Sequence, residues 1–278
     1  MAPSSAGSVS SERARDRLSA GVTTVVERAT LSVRTPVTGE RFGTVPACES
    51  ADVAAAVDRA RAARSEWADR SLSERTAVLD RFADEVAANR DELLDVVQLE
   101  TGKARFDALE EVLDVVATAD YYARRGPSHL GSERRAGAIP GLTRTVEHTG
   151  PVGVVGRISS WNYPLTLAVS DLLPALLAGN AAVLKPAEQT PFTALAVVDL
   201  LETAGLPADL LQVVTGDGER LGEPLISRVD YLRFTGSTAV SLRSERNWLP
   251  RPRPSWAPGT SPATSTSFVG TKRTPSSQ

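Results

Sequence analysis

The chain has 278 residues, 41% of them hydrophobic and 23% charged, enough for one large or two ordinary soluble domains with sizeable cores. A net charge of −3 gives no electrostatic reason to expect nucleic acid or an anionic membrane as partner, and no apolar run approaches the ~18–20 residues of a membrane span. One cysteine and two histidines exclude an internal disulfide, argue against a dedicated metal site, and fit a reducing, cytoplasmic setting.

In chain order, residues 1–20 read as a loose leader, frayed or weakly helical, without the apolar core of a secretory signal. The segment TTVVERATLSVRTPVTGERFGTVP alternates apolar and polar residues around a TPVTGE turn, which predicts two short strands. A helical block follows. Ser50 is placed to cap a helix whose Val53, Val57, Ala60 and Trp67 share one face. Leu79, Phe82 and Val86 form a stripe in the next helix, and Val112, Val116, Ala119 and Tyr122 in a later one. Core packing is the ordinary meaning of such stripes. GPSHLGSERRAGAIPGLTRTVEHTG is a connection punctuated by Gly and Pro, whose end, Thr143–His148, can serve as an extended arm.

From Val152 the grammar changes. Apolar strands (VGVVGRI, AAVLK, LLQVV, YLRFTG) alternate with helical stretches (LTLAVSDLLPALLAG, PFTALAVVDLLETAG, GERLGEPLIS). This pattern predicts a parallel sheet with helical crossovers and an α/β fold. The divisions expected are 21–150 for the helical and stranded portion with its arm, and 151–240 for a Rossmann-like cofactor portion. In such sheets ligands sit beyond the carboxyl ends of the strands, which directs attention to SSWNYP, KPAEQTP, TGDGERLG and TGST.

Each of these has a plain reading beside a functional one. TGDGERLG resembles a dinucleotide loop without the G-x-G-x-x-G spacing, and a tight turn explains it as well. In FTGST, Gly236 and Ser237 stand where a strand ends, so free backbone N–H groups can hold a pyrophosphate; a Ser helix cap is the alternative. Lys185 and Glu188 can hydrogen-bond ribose hydroxyls, or form a solvated surface pair. Asn162 can donate its side-chain N–H to a developing oxyanion, or simply make a turn, and Pro164 suits a helix start.

Taken together in this order, GPVGVVGRISSWNYPL, LLPALLAGNAAVLKPAEQTP, AGLPADLLQVVTGDGERLG and RFTGST resemble the aldehyde dehydrogenase superfamily, nearest its succinate-semialdehyde-dehydrogenase-like branch. The likeness runs from about residue 30 to about 240 and includes TGERFGTVP and ETGK. It implies oxidation of an aldehyde to an acid by attack of a Cys thiolate, hydride transfer to a nicotinamide, and hydrolysis assisted by a Glu. By matched position it implies an oxyanion-stabilising role for Asn162 and adenosine-ribose contacts for Lys185 and Glu188. It likewise implies cofactor contacts for Ser160, Trp161, Asn162, Gly216 and Gly236, with Ser237 at the pyrophosphate. A carboxylate at Glu188 opposes a 2′-phosphate and favours NAD over NADP. Ser160 stands where the family usually has Pro, a change expected to loosen the turn that aims Asn162.

The family's ELGG motif and the nucleophile beyond it are missing, so the catalytic domain is expected to be absent. Cys48, in VPACES, matches no nucleophile position and reads as a small core residue. Residues 241–278 are rich in Pro, Ser and Thr and read as a disordered tail. Its codons suggest a cause. Pro254-Ser255-Trp256-Ala257, read from each codon's third base, can yield Glu-Leu-Gly, and Asn247-Trp248-Leu249 in the same frame yields Leu-Ala. A shift of reading frame near Val240 is therefore expected. The functional expectation is an aldehyde dehydrogenase by descent, inactive as written, with family oligomerisation compromised. The rival is a cofactor-binding or dimerising remnant without catalysis.

Overall fold

The computed structural model describes residues 12–136, 138–139, 143–236 and, by backbone alone, 266–271. Ser237 and most of the tail lie outside the described residues. The expected leader is partly built: α1 (Glu12–Ala20) buries Ala14 and Leu18, one helical turn apart. Beyond it, Val22 bridges to Val213 and the Thr23 hydroxyl donates to Gln212 at 2.6 Å. The TPVTGE turn joins β1 (Thr30–Arg34) to β2 (Arg41–Pro46) as an antiparallel pair.

Four helices follow: α2 (Ser50–Asp69), α3 (Leu72–Ala88), α4 (Arg90–Thr101) and α5 (Arg105–Leu130). Ser50, expected as the cap of α2, is instead its first residue. The N-cap is Glu49, and the buried Asp52 at the third helical position reaches back to the Glu49 N–H at 2.8 Å and also takes Val25 N–H and Arg28. The predicted stripes point inward, with Val53, Val57, Ala60, Trp67, Leu79, Phe82, Val86, Val112 and Ala119 all buried. The connecting arm forms β3 (Glu133–Arg135) and β4 (Thr145–Glu147), paired antiparallel.

The second half is the parallel sheet. It contains β5 (Val154–Ile158), β6 (Ala181–Lys185), β7 (Leu211–Val213) and β8 (Tyr231–Gly236), in the order β7-β6-β5-β8. Strand order reverses after β7, so β5 has β6 on one side and β8 on the other. Ile158 is level with both Lys185 and Phe234. The stretch LTLAVSDLLPALLAG, which reads as one helix, is two: α6 (Pro164–Val169) and α7 (Leu172–Leu177). Pro174 has no N–H to return to the carbonyl of Ser170, and its ring crowds that carbonyl. Asp171, in the gap, then pairs with Arg157 at 3.1 Å and Arg233 at 3.0 Å, two arginines level with each other on β5 and β8. Burial pushes the Arg157 guanidinium down to about 10, against the pull of Asp171.

Two further crossovers, α8 (Pro191–Thr203) and α9 (Gly218–Arg228), complete the layers. On one face α2 packs on β5, β6, β7 and α9; on the other α7 packs on β5 and β6, with α3 and α5 behind it. One continuous apolar core runs from Leu18 to Leu232. The tail expected to be disordered contributes β9 (Thr266–Thr271), antiparallel to β8 from Tyr231↔Thr271 to Gly236↔Thr266. Its residues, TSFVGT, favour strands, and β8 without it would be an open sheet edge.

Helices α6 and α8 start alike. Each has Pro in its first turn and no side-chain cap of its own. In each, a buried glutamate from the helical block takes the next two N–H groups. Glu111 accepts Leu165 N–H at 2.9 Å and Thr166 N–H at 3.2 Å. Glu100 accepts Phe192 N–H at 2.8 Å and Thr193 N–H at 2.7 Å, and the Thr193 hydroxyl at 2.7 Å. Lys103 neutralises Glu111 at 2.5 Å, whereas Glu100 has no cation beside it among the described residues.

Burial therefore pushes the Glu100 carboxyl from 4.5 up to about 8, against the bonds from Thr193 and Phe192 that favour the carboxylate. The folded state then holds a proton that the unfolded chain releases above about pH 4.5. Stability from this group is full below that pH and is lost as pH rises through about 8. Thermal melting across this window should show the parent losing stability with rising pH more steeply than Glu100→Gln. Parallel slopes would show that Glu100 does not titrate there.

Candidate nucleotide site at the strand ends

The parallel strands deliver their carboxyl ends to one edge of the sheet, and the sequence-predicted residues lie there. Beyond β5 come Ser160, Trp161 and Asn162; β6 ends at Lys185 with Glu188 just past it; Gly216 follows β7; Gly236 closes β8. The first two ends are tied together where Ser159 N–H donates to the Lys185 carbonyl at 3.1 Å.

Lys185 is almost wholly buried, so its ammonium is held in place rather than waving in solvent. It donates to the Pro186 carbonyl and to Glu188 Oε1, both at 3.0 Å. The same Glu188 oxygen accepts the Gly218 N–H at 2.5 Å. Glu188 thus staples the loop after β6 to the start of α9, and the solvated-pair reading of Lys185 and Glu188 is excluded. Gly218 packs closely here: a Cβ would stand 3.3 Å from Glu188 Oε1 and 3.5 Å from Lys185 Nζ. An ammonium has three N–H bonds, and two are used here. Glu188 Oε2 takes none among the hydrogen bonds of the described residues. One donor and one acceptor side by side suit the two hydroxyls of a ribose.

Gly216 turns the chain at φ +140, a backbone conformation that L side chains rarely adopt, and lies against the Cys48 backbone. Cys48 N–H in turn donates to the Thr215 carbonyl at 2.8 Å. Cys48 is buried, its thiol 3.5 Å from the Thr23 carbonyl, and burial pushes that thiol up. It buttresses the loop, as its reading as a small core residue anticipated. Gly236 leaves room for the Phe234 ring, which a Cβ would meet at 2.6 Å.

Around Asn162 the structure departs from expectation. Ser160, expected to loosen the turn, donates its hydroxyl to Asn162 Oδ1 at 2.6 Å. A proline could not make that bond. It engages the amide oxygen and leaves Nδ2 free of it as a donor. The turn is also gripped from below: the Lys103 ammonium that pairs with Glu111 lies 3.8 Å from the Tyr163 ring centroid. Trp161 is exposed at 56%. No hydrogen bond among the described residues joins Asn162 to the Lys185–Glu188–Gly218 cluster.

Sequence reading gave no role to Glu100, Lys103 or Glu111. The signal was a carboxylate on an apolar stripe: Glu100 follows Leu93, Val96 and Val97, and Glu111 sits between Ala108 and Val115, all buried. Among the described residues there is no cluster suited to a metal ion, and no helix is long and apolar enough to cross a membrane.

Comparison with known proteins gives a consistent picture. A family model described as the aldehyde dehydrogenase family matches residues 24–245. A provisionally named succinate-semialdehyde dehydrogenase (NADP+) of Mycolicibacterium smegmatis is 52% identical over 203 residues, 73% of this chain and 39% of that protein. A similarly named protein of Mycobacterium tuberculosis is 46% identical over 224 residues, 81% of this chain and 43% of that one. Among solved structures, a succinate-semialdehyde dehydrogenase of Burkholderia pseudomallei superposes with a TM-score of 0.76 at 37% identity, covering 79% of this chain and 46% of that one. An aldehyde dehydrogenase of Bacillus cereus, solved as an NAD+ complex, gives 0.74 at 31%, covering 79% and 45%. The chain spans less than half the length of these relatives.

Two glycine substitutions test the loop geometry. Gly216→Ala should cost about 1–3 kcal/mol, because it forces a side chain into a disfavoured φ with its Cβ 3.1 Å from Leu221. Gly222→Ala, in α9 with open space around it, should gain up to about 1 kcal/mol of helix propensity. Urea midpoints that move together would contradict this backbone assignment.

Proposed function

The chain belongs to the aldehyde dehydrogenase family, and from that premise we propose that it is a nicotinamide-dinucleotide-binding portion of such an enzyme that does not oxidise an aldehyde by itself. The observation that carries this reading is the buried Lys185 donor beside the Glu188 acceptor, braced by Gly218 N–H at the strand ends. A bound nicotinamide dinucleotide would supply the hydride acceptor. Lys185 and Glu188 would hold the adenosine ribose, with the Gly216 and Gly236 turns toward the phosphates. Asn162, its oxygen held by Ser160, offers Nδ2 to a substrate oxygen that gains negative charge.

Oxidation in the manner the family resemblance implies needs a thiolate. The single cysteine of the sequence is Cys48, and its buried thiol is pushed away from ionisation. The substrate class inferred from the names of the relatives is a short aldehyde acid of the succinate-semialdehyde kind. The relatives' names specify NADP+, which favours a second reading of the cofactor. We retain NAD, since a 2′-phosphate at this ribose would stand against the Glu188 carboxylate.

Calorimetry is the test. NAD should bind more tightly than NADP, and Glu188→Ala should narrow or reverse the gap. Tighter binding of NADP by the parent would overturn the cofactor assignment. With succinate semialdehyde and NAD, absorbance at the NADH band should not grow; turnover near the ordinary enzyme scale of about 1 per second or more would overturn the non-catalytic reading.

A further inference from the structure

Glu100 lies outside the ligand loops, yet its bonds end at one of them. Its carboxyl group bonds the N–H groups of Phe192 and Thr193 and the Thr193 hydroxyl, which anchors the start of α8. Immediately ahead of α8, Thr190 is buried and its N–H closes a turn onto the Ala187 carbonyl at 3.2 Å. Glu188 sits inside that turn, and its carboxylate meets Lys185 and Gly218 N–H. Hydrogen bonds and one short stretch of chain, Thr190 to Phe192, therefore connect the last turn of α4 to the proposed ribose ligands. Only Gln189 and Thr190 separate Glu188 from the helix that Glu100 pins.

We propose that Glu100 is a positioning residue for the nucleotide site: it fixes the Lys185–Glu188 loop through the start of α8 without touching the ligand. The proposal rests on reading that loop as a ribose site. The Thr190 hydroxyl at the N-cap makes no cap bond, so Glu100 supplies the acceptors for the Phe192 and Thr193 N–H groups. The effect is directional. Without Glu100 the α8 start loses its anchor, Glu188 loses its register with Gly218, and the donor–acceptor pair opens.

The experiment is calorimetric titration of the full chain with AMP, which probes the adenosine half alone. Glu100→Ala should weaken AMP binding about tenfold, the scale of losing one or two buried hydrogen bonds. Glu100→Gln, which keeps one acceptor oxygen, should recover part of it. Thr193→Val, which removes only the hydroxyl bond, should produce a smaller loss in the same direction and carries the test if Glu100→Ala does not fold. Trp67→Phe serves as the control for general destabilisation. It deletes the buried indole bond to the Leu176 carbonyl at 2.7 Å and should leave AMP affinity unchanged.

The decisive readout is a double-mutant cycle. In a Glu188→Ala background, Glu100→Ala should cost no further affinity, because the group it positions is gone. Additive losses, unchanged AMP affinity in a folded Glu100 variant, or an equal loss in Trp67→Phe would each overturn the proposal and leave the nucleotide reading standing. A parent chain that binds neither AMP nor NAD would remove the nucleotide reading, and this proposal with it.

Discussion

Helices α6 and α8 begin without caps of their own, and a buried N–H with no acceptor costs roughly 1–3 kcal/mol. The chain meets this at both places in the same way. A glutamate far away in sequence, Glu111 from α5 or Glu100 from α4, enters the interior and takes two consecutive N–H groups. Burying a carboxylate is itself unfavourable, and the two sites compensate differently. Glu111 has the Lys103 ammonium; Glu100, with no cation beside it among the described residues, has its carboxyl pushed up to about 8 by burial and bonds the helix start and one hydroxyl. These bonds make the helical block a structural part of the sheet. The core is also continuous from Leu18 to Leu232, so the two halves share it.

The consequence for function follows from where α6 and α8 start. Each begins where a strand-end loop finishes, one carrying Ser160 to Tyr163 and the other Lys185 to Thr190. Holding the helix start holds the loop. Within the loops, short polar bonds complete the arrangement: Ser160 to Asn162 in one, Lys185 to Glu188 in the other, with Gly218 N–H bonded to Glu188 from a third element. The Arg157–Asp171–Arg233 contact braces β5 and β8 from the side, at the break between α6 and α7.

Much of this was legible in the residues. Apolar strands alternating with helical stretches predict the parallel sheet, and the rule that ligands sit beyond the carboxyl ends of strands directs attention to Lys185, Glu188 and Asn162, which lie at that edge. What escaped is what depends on contacts distant in sequence. A Glu on an apolar stripe looks like a solvated residue until its acceptor role is seen, so Glu100 and Glu111 received none. Ser160 looked like a lost proline because its value lies in a side-chain bond to Asn162. The break at Ser170 and Asp171 was missed because the apolar pattern of LTLAVSDLLPALLAG runs unbroken across a proline. Composition predicts a frayed or weakly helical leader over residues 1–20 and a disordered tail over 241–278, and it does not register a docking surface supplied to α1 by α8 and β2 or to β9 by the open edge of β8.

If the glutamate clamps bind the helical block to the sheet, the clamped amides cannot exchange without unfolding the whole molecule. Native-state hydrogen exchange of Leu165, Thr166, Phe192 and Thr193 measures this directly. All four should exchange with the same opening free energy as the β6 amide of Val183, and with the same denaturant dependence as global unfolding. Exchange of the four through a lower-energy opening, while Val183 stays protected, would show that the helical block detaches on its own and that the sheet holds its loops without it.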